Sequence, residues 1–137
     1  MNIDVLHTLV TSAIWRAEQL DEQAFSSLLA WTEVSLIEEE LANAFPVVQP
    51  EGRIARRGAV RAALKARDHA RAQTLAERYL TEKEAPESLR ATLRELFEED
   101  AHHLASRFHY AARHHDMDDA RDLARRLLKV GAFGLAA

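Results

Sequence analysis

Residues 68–80 read DHARAQTLAERYL, and residues 116–128, which lie 48 positions later, read DMDDARDLARRLL. The two stretches agree at six of thirteen positions: one Asp, two Ala, two Leu and one Arg recur in the same order. A small alanine soon after a polar corner lets two antiparallel helices approach closely. We therefore predict that the chain turns a corner at Asp68 and again at Asp116.

The same offset brings Ala24 of the N-terminal region into register with Ala72 and Ala120. The rest of the N-terminal match is weak, but it indicates a third corner near Leu20 and Asp21. Self-similarity at a fixed spacing is typical of stacked helical units. The pattern therefore predicts three successive helical hairpins.

The third of these units covers residues 104–124, with an acidic corner at 116–119 and Ala120 as the small packing residue. In these features it resembles a tetratricopeptide hairpin. The resemblance implies two antiparallel helices that meet at the acidic corner, a geometry that many helical hairpins share.

Glycine and proline are sparse and cluster in two places, at residues 45–52 and around Pro86. Ala, Leu, Arg and Glu dominate the remaining segments, and no segment alternates apolar and polar residues long enough for a strand. At 137 residues one domain is expected. The sequence predicts a single all-α domain of about six helices in three antiparallel hairpins. The hairpin blocks are 1–44, 53–82 and 86–130, followed by a short tail, 131–137, where Gly131 ends the last helix.

Apolar residues at helical spacing predict the stripes that face the core. The core stripes of the first block are Ile3, Leu6, Val10, Ile14 and Ala17, then Phe25, Leu28, Leu29, Thr32 and Leu36. Those of the last block are Leu89, Leu93, Leu96, Phe97, Ala101, Leu104 and Phe108, then Leu123, Ala124, Leu127 and Leu128.

The helix that carries Phe25 has a second apolar direction, which consists of Trp31, Val34, Leu41 and Phe45. A terminal hairpin needs only one buried face, so this extra apolar surface is a candidate interface with a partner protein or with a second copy of the chain. The alternative is that Val47 and Val48 of the following loop fold back and cover it.

The net charge of −4 is unevenly distributed. Residues 1–52 hold nine acids and one base, whereas residues 53–71 hold seven bases and one acid. Arg53, Arg57, Arg61 and Lys65 recur at every fourth position and form one positive stripe on a helix. This stripe could bind an acidic protein, pair internally with the glutamates at 38–40, or follow a nucleic-acid backbone.

Five of the seven histidines lie between residues 102 and 115. Imidazole and carboxylate together suit zinc, nickel or iron. The candidate ligands of this alternative are His102, His109, His114, His115 and Asp116. On a helical wheel, however, His102 and His109 lie opposite the apolar stripe, which favours a solvated polar face.

The chain has no cysteine, no glycine-rich phosphate loop and no identifiable catalytic triad. Its first twenty residues resemble neither a signal peptide nor a membrane span. We therefore expect a cytoplasmic protein without a cofactor, which is not an enzyme and acts through protein contacts as an adaptor, chaperone or inhibitor. Metal binding and nucleic-acid binding are the alternatives.

Overall fold

The computed structural model describes residues 2–136, and the side chains of residues 2–130. Within that range the chain forms six α-helices and no strand. The helices are α1 (Ile3–Glu18), α2 (Phe25–Ala44), α3 (Pro50–Lys65), α4 (His69–Leu80), α5 (Glu87–Arg113) and α6 (Met117–Ala136). The predicted all-α class and helix number are confirmed.

The chain divides into two compact units, residues 1–90 and 91–137. In the first unit, α2 packs against both α1 and α3, and α3 packs against α4. Consecutive helices therefore form antiparallel pairs, as predicted. The α1 stripe is buried at Leu6, Val10 and Ala17, because these residues recur on one side of the helix.

The predicted corner at Asp68 has the hydrogen bonds of a helix end followed by a helix start. Arg67 adopts a left-handed conformation with φ 61°, which ends α3. The Asp68 backbone N–H donates to the Ala63 carbonyl at 2.9 Å, and the Asp68 side chain accepts from the Arg71 backbone N–H at 3.0 Å. The carboxylate therefore caps α4.

The corner at Asp116 repeats this arrangement 48 residues later. His115 is left-handed, with φ 58°. The Asp116 backbone N–H donates to the Ala111 carbonyl at 2.9 Å, and its carboxylate accepts from the Asp119 backbone N–H at 3.2 Å. The chain turns at both predicted positions, so a continuous helix through either one is excluded.

The three alanines that coincide in the sequence do not have the same environment. Ala72 and Ala120 are 0% and 3% exposed, as the close-packing argument requires. Ala24 is only half-buried and lies at the N-cap of α2, with no side-chain cap. The first hairpin therefore reverses by a different connection, which explains its weak match to the repeat.

The second unit contains most of α5 and all of α6. Its buried apolar residues include Leu93, Leu96, Phe97, Leu104 and Leu123, all of which were predicted core positions. The predicted helix end at Gly131, followed by a tail, is wrong, because α6 continues through Gly131 and Gly134 to Ala136. A glycine inside a helix costs only about 1 kcal/mol relative to alanine, so it does not by itself end one.

No helix in the described part of the chain combines the length and the apolar character that crossing a membrane requires.

Candidate protein-interaction surface

The surface predicted around Trp31 is part of the core of the first unit. Trp31, Val34 and Leu41 are 5%, 2% and 3% exposed, and Val47 of the following loop is also buried. Only Phe45 of this group is half-buried. The interface prediction needs exposed side chains. Of the two loop residues in the alternative, Val47 folds back and is buried, whereas Val48 is 52% exposed. The side of α2 that carries Trp31 is buried because α2 lies between α1 and α3 and buries two sides.

The apolar surface that α2 leaves exposed is the stripe that was predicted to be core. Phe25, Leu29 and Leu36 are 72%, 58% and 50% exposed. At 100° per residue they lie within about 40° of one another around the helix, opposite its buried side. We call these three residues the α2 row. Isolated exposed leucines are ordinary on protein surfaces, but three large apolar side chains in one line form a patch.

Helix α1 adds two exposed apolar side chains near the C-terminal end of α2, past the end of the α2 row. Val5 and Leu9 are 51% and 45% exposed and share one side of α1 with Arg16. The Arg16 guanidinium lies 3.3 Å from a carboxylate oxygen of Glu33 on α2. That ion pair places this side of α1 next to the side of α2 that carries Glu33.

Carboxylates border the α2 row on the side of α1. Glu33 and Glu40 are exposed and lie about 80° and 60° around the helix from Phe25. We call the α2 row, Val5, Leu9, Glu33 and Glu40 the acidic apolar face. Most of the acids in residues 1–52 are exposed, and the only base in this segment is Arg16. The exposed acids are Asp4, Glu18, Asp21, Glu22, Glu33, Glu40 and Glu51.

Three of the four cations in the predicted basic stripe make contacts inside the first unit. Arg53 donates to the Val48 carbonyl at 2.6 Å and so binds the loop between α2 and α3. The Arg61 guanidinium and the Lys65 ammonium lie 5.5 Å and 5.2 Å from the centroid of the Trp31 ring, within the range of cation–π attraction. The remaining member, Arg57, is exposed.

A half-buried ionic network joins α2 to α4. Arg71 and Arg78 donate to the Glu39 carboxylate at 2.8 Å and 3.0 Å. Burial raises the pKa of Glu39, but the two guanidinium groups outweigh burial, so the pKa lies below its ordinary value. Arg71 Nε also donates to Ser35 Oγ at 3.0 Å, and Ser35 Oγ donates to the Ala59 carbonyl of α3 at 2.8 Å.

Glu38 is the most buried carboxylate of the first unit, with 8% exposure. It fits because α3 has a glycine opposite it: a Cβ atom at Gly58 would lie 2.6 Å from the Glu38 carboxyl carbon. Burial raises the pKa of Glu38 to about 7, although the positive charge of Arg61 acts in the opposite direction. The run of glutamates at 38–40 thus contains one desolvated acid, one paired acid and one exposed acid, Glu40.

Sequence reasoning missed the ion pair between Arg56 and Glu82, which joins α3 to the loop after α4. Arg56 Nη2 lies 3.0 Å from the Glu82 carboxylate, and Arg56 Nη1 donates to the carbonyls of Phe45 and Gly52 at 3.0 Å and 2.9 Å. The guanidinium also lies 5.4 Å from the Tyr79 ring centroid. The partners are 26 residues apart, so no short spacing in the sequence indicates them.

The candidate metal ligands of the second unit do not come together. His102 and His109 are exposed, His115 forms the corner and Asp116 caps α6. His114 stacks on Tyr110 with ring centroids 3.9 Å apart. Among the residues that the structure describes, no three His, Asp or Glu side chains are placed to hold a metal ion.

Comparisons with protein-family models, with curated proteins and with solved structures find no match to this chain. The fold places the chain in the class of all-α proteins built from helical hairpins.

Proposed function

We propose that this protein is a non-enzymatic interaction module that binds another protein through the acidic apolar face. The observation that supports the proposal is the α2 row. Phe25, Leu29 and Leu36 remain half or more exposed on a helix whose opposite side is fully packed. A stable fold therefore leaves an apolar line available without any rearrangement.

The geometry of the α2 row suits the binding of an amphipathic segment from a partner protein. Apolar side chains that line one side of a helix, with a second helix alongside, form the kind of surface that receives an amphipathic segment. Fully burying one leucine side chain is worth roughly 1.5–3 kcal/mol. Burying the three partly exposed side chains of the α2 row therefore provides a substantial part of the binding free energy of a micromolar complex. The adaptor, chaperone and inhibitor roles expected from the sequence all use such a surface.

The proposal can be tested by capture from an extract of the source cells. Leu29→Asp combined with Leu36→Asp places two charges in the α2 row without changing the core, so the circular dichroism spectrum should stay the same. Leu128→Asp is the matched control, because Leu128 is 74% exposed on α6 in the other unit. Proteins retained by the wild type and by the control should be lost from the double variant. Identical sets of captured proteins for all three baits would contradict the proposal.

A further inference from the structure

The acidic apolar face also indicates the chemistry of what binds there. On the basis of the proposed function, we infer that its partner presents a basic amphipathic helix. The inference comes from the position of the carboxylates: Glu33 and Glu40 lie between the α2 row and α1, where a docked helix would place its polar flank.

The shape of the face suits a helix. The α2 row follows the spacing i, i+4 and i+11 along a single helix, and Val5 and Leu9 on α1 extend the apolar surface past Leu36. A partner helix with apolar residues at i, i+4, i+7 and i+11 presents a line of the same length, about 16 Å at 1.5 Å per residue. Its apolar line would cover the α2 row, while the residues next to that line would meet Glu33 and Glu40.

The charge of the acidic apolar face favours a basic partner over a second copy of this chain. Residues 1–52 carry nine acids and one base, and the single base, Arg16, already contacts Glu33. Two copies that meet through this face would bring carboxylates against carboxylates, which opposes association. Lysine or arginine on a partner would instead meet an opposite charge at the rim of the apolar contact.

The other edge of the α2 row supports the same assignment. Glu39 borders that edge, but it is held by Arg71 and Arg78. The exposed carboxylates therefore lie on one side of the row, towards α1, where Glu33 shares an exposed ion pair with Arg16 and Glu40 adds a second negative charge. A one-sided flank favours a partner helix with its cations on one side of the apolar line.

The probe is a fluorescein-labelled synthetic peptide of about 18 residues that contains only leucine and lysine, with leucine at the helical positions given above. The matched peptide has glutamate in place of every lysine. Anisotropy titrations with the full chain should show binding of the lysine peptide at least about tenfold tighter than binding of the glutamate peptide. Raising NaCl from about 50 to about 300 mM should weaken the lysine peptide several-fold, because exposed charges are screened.

Two sets of variants separate specific docking from general attraction to an acidic protein. Leu29→Asp adds negative charge, so general attraction would increase, whereas docking on the α2 row should weaken by about tenfold or more. Glu33→Gln with Glu40→Gln should weaken the lysine peptide several-fold, whereas Glu77→Gln on α4 should have no effect.

The outcomes distinguish the inference from the proposed function. Equal affinity of the two peptides, with sensitivity to Leu29→Asp, overturns the basic partner and leaves the interaction surface in place. Peptide binding that is insensitive to Leu29→Asp, or no binding of either peptide, overturns the docking of a basic helix on the face. A dimer at micromolar concentration that Leu29→Asp dissociates makes the second copy the occupant and also overturns the inference.

Discussion

Replacing Glu38 with glutamine should stabilise the protein at neutral pH. The Glu38 side chain lies between α2 and the backbone of Gly58, and burial raises its pKa from 4.5 to about 7 despite the nearby Arg61. In the unfolded chain the same carboxyl group is solvated and has its ordinary pKa. The folded protein therefore holds this proton more tightly than the unfolded chain does.

The sign and the size of the change in stability follow from this difference between the pKa of Glu38 in the folded protein and in the unfolded chain. Below pH 4.5 the carboxyl is protonated in both states, and this contribution to stability is fully present. It is lost as the pH rises through about 7, where the folded group also ionises. At about 1.36 kcal/mol per pKa unit the loss is at most roughly 3 kcal/mol. Because the carboxylate keeps some contact with solvent, we expect Glu38→Gln to gain about 1–3 kcal/mol at pH 8.

The assay is urea denaturation followed by far-UV circular dichroism at several values from pH 5 to pH 8. The free energy of unfolding of Glu38→Gln, minus that of the wild type, should increase from pH 5 to about pH 7 and then level off, because the wild-type carboxyl is then ionised in both states. Glu40→Gln is the matched control, because it removes the same formal charge from an exposed position on the same helix. Its difference from the wild type should stay within about 0.5 kcal/mol.

A second variant guards against a poor fit of the glutamine amide. Glu38→Met keeps a flexible side chain of similar size and removes the ionisable group, so it should show the same pH trend. A difference that does not change with pH in both variants, or a loss of stability in both at pH 8, would refute the argument from burial.

Three further substitutions test other contacts. Gly58→Ala should cost the wild type about 0–2 kcal/mol, because the new Cβ meets the Glu38 carboxyl, which has to shift, and this contact offsets the gain in helix propensity. In a Glu38→Ala background the same change should become stabilising by about 0.5–1 kcal/mol, since alanine favours the helix and the space is free; destabilisation in both backgrounds would contradict the assigned contact. Asp68→Ala should cost about 1 kcal/mol in thermal or urea denaturation by removing the cap of α4, and no change would show that this cap does not stabilise the corner. Glu82→Ala should cost about 2–4 kcal/mol, because Arg56 is left buried without its counter-ion; a loss below about 0.5 kcal/mol would show that the carbonyl contacts of Arg56 are enough.

The corners could be predicted from the sequence because they are local. An aspartate that caps a helix contacts a backbone N–H three residues further along, and the left-handed residue lies directly before it. Both signals fall within a few positions of Asp68 and of Asp116. The first corner has no such cap at Ala24, and its prediction rested on the weakest part of the repeat.

The exposed side of α2 could not be predicted by the same reasoning, because both sides are apolar. Which one is buried depends on contacts with α1 and α3, far away in sequence. A usable signal was nevertheless present. Ser27 and Ser35 flank Trp31 on the buried side, and small side chains permit the close approach that brings Ser35 Oγ within 2.8 Å of the Ala59 carbonyl. Helical spacing predicts the Phe25, Leu29 and Leu36 stripe as core, whereas the side that carries Trp31 with its small serine neighbours is the one that packs.

The distribution of charge along the chain explains why the outer face of α2 is acidic. Two cations of residues 53–71, Arg61 on α3 and Arg71 at the start of α4, meet α2 from its packed side. There Arg61 faces Glu38, and Arg71 binds Glu39. These contacts compensate the acids that point towards α3 and α4 and leave Glu33 and Glu40 on the open side, with Arg16 as the only nearby base in the N-terminal segment. The positive run therefore stabilises the inside of the first unit, and the sign of the surface open to a partner is set by the acids that it does not reach.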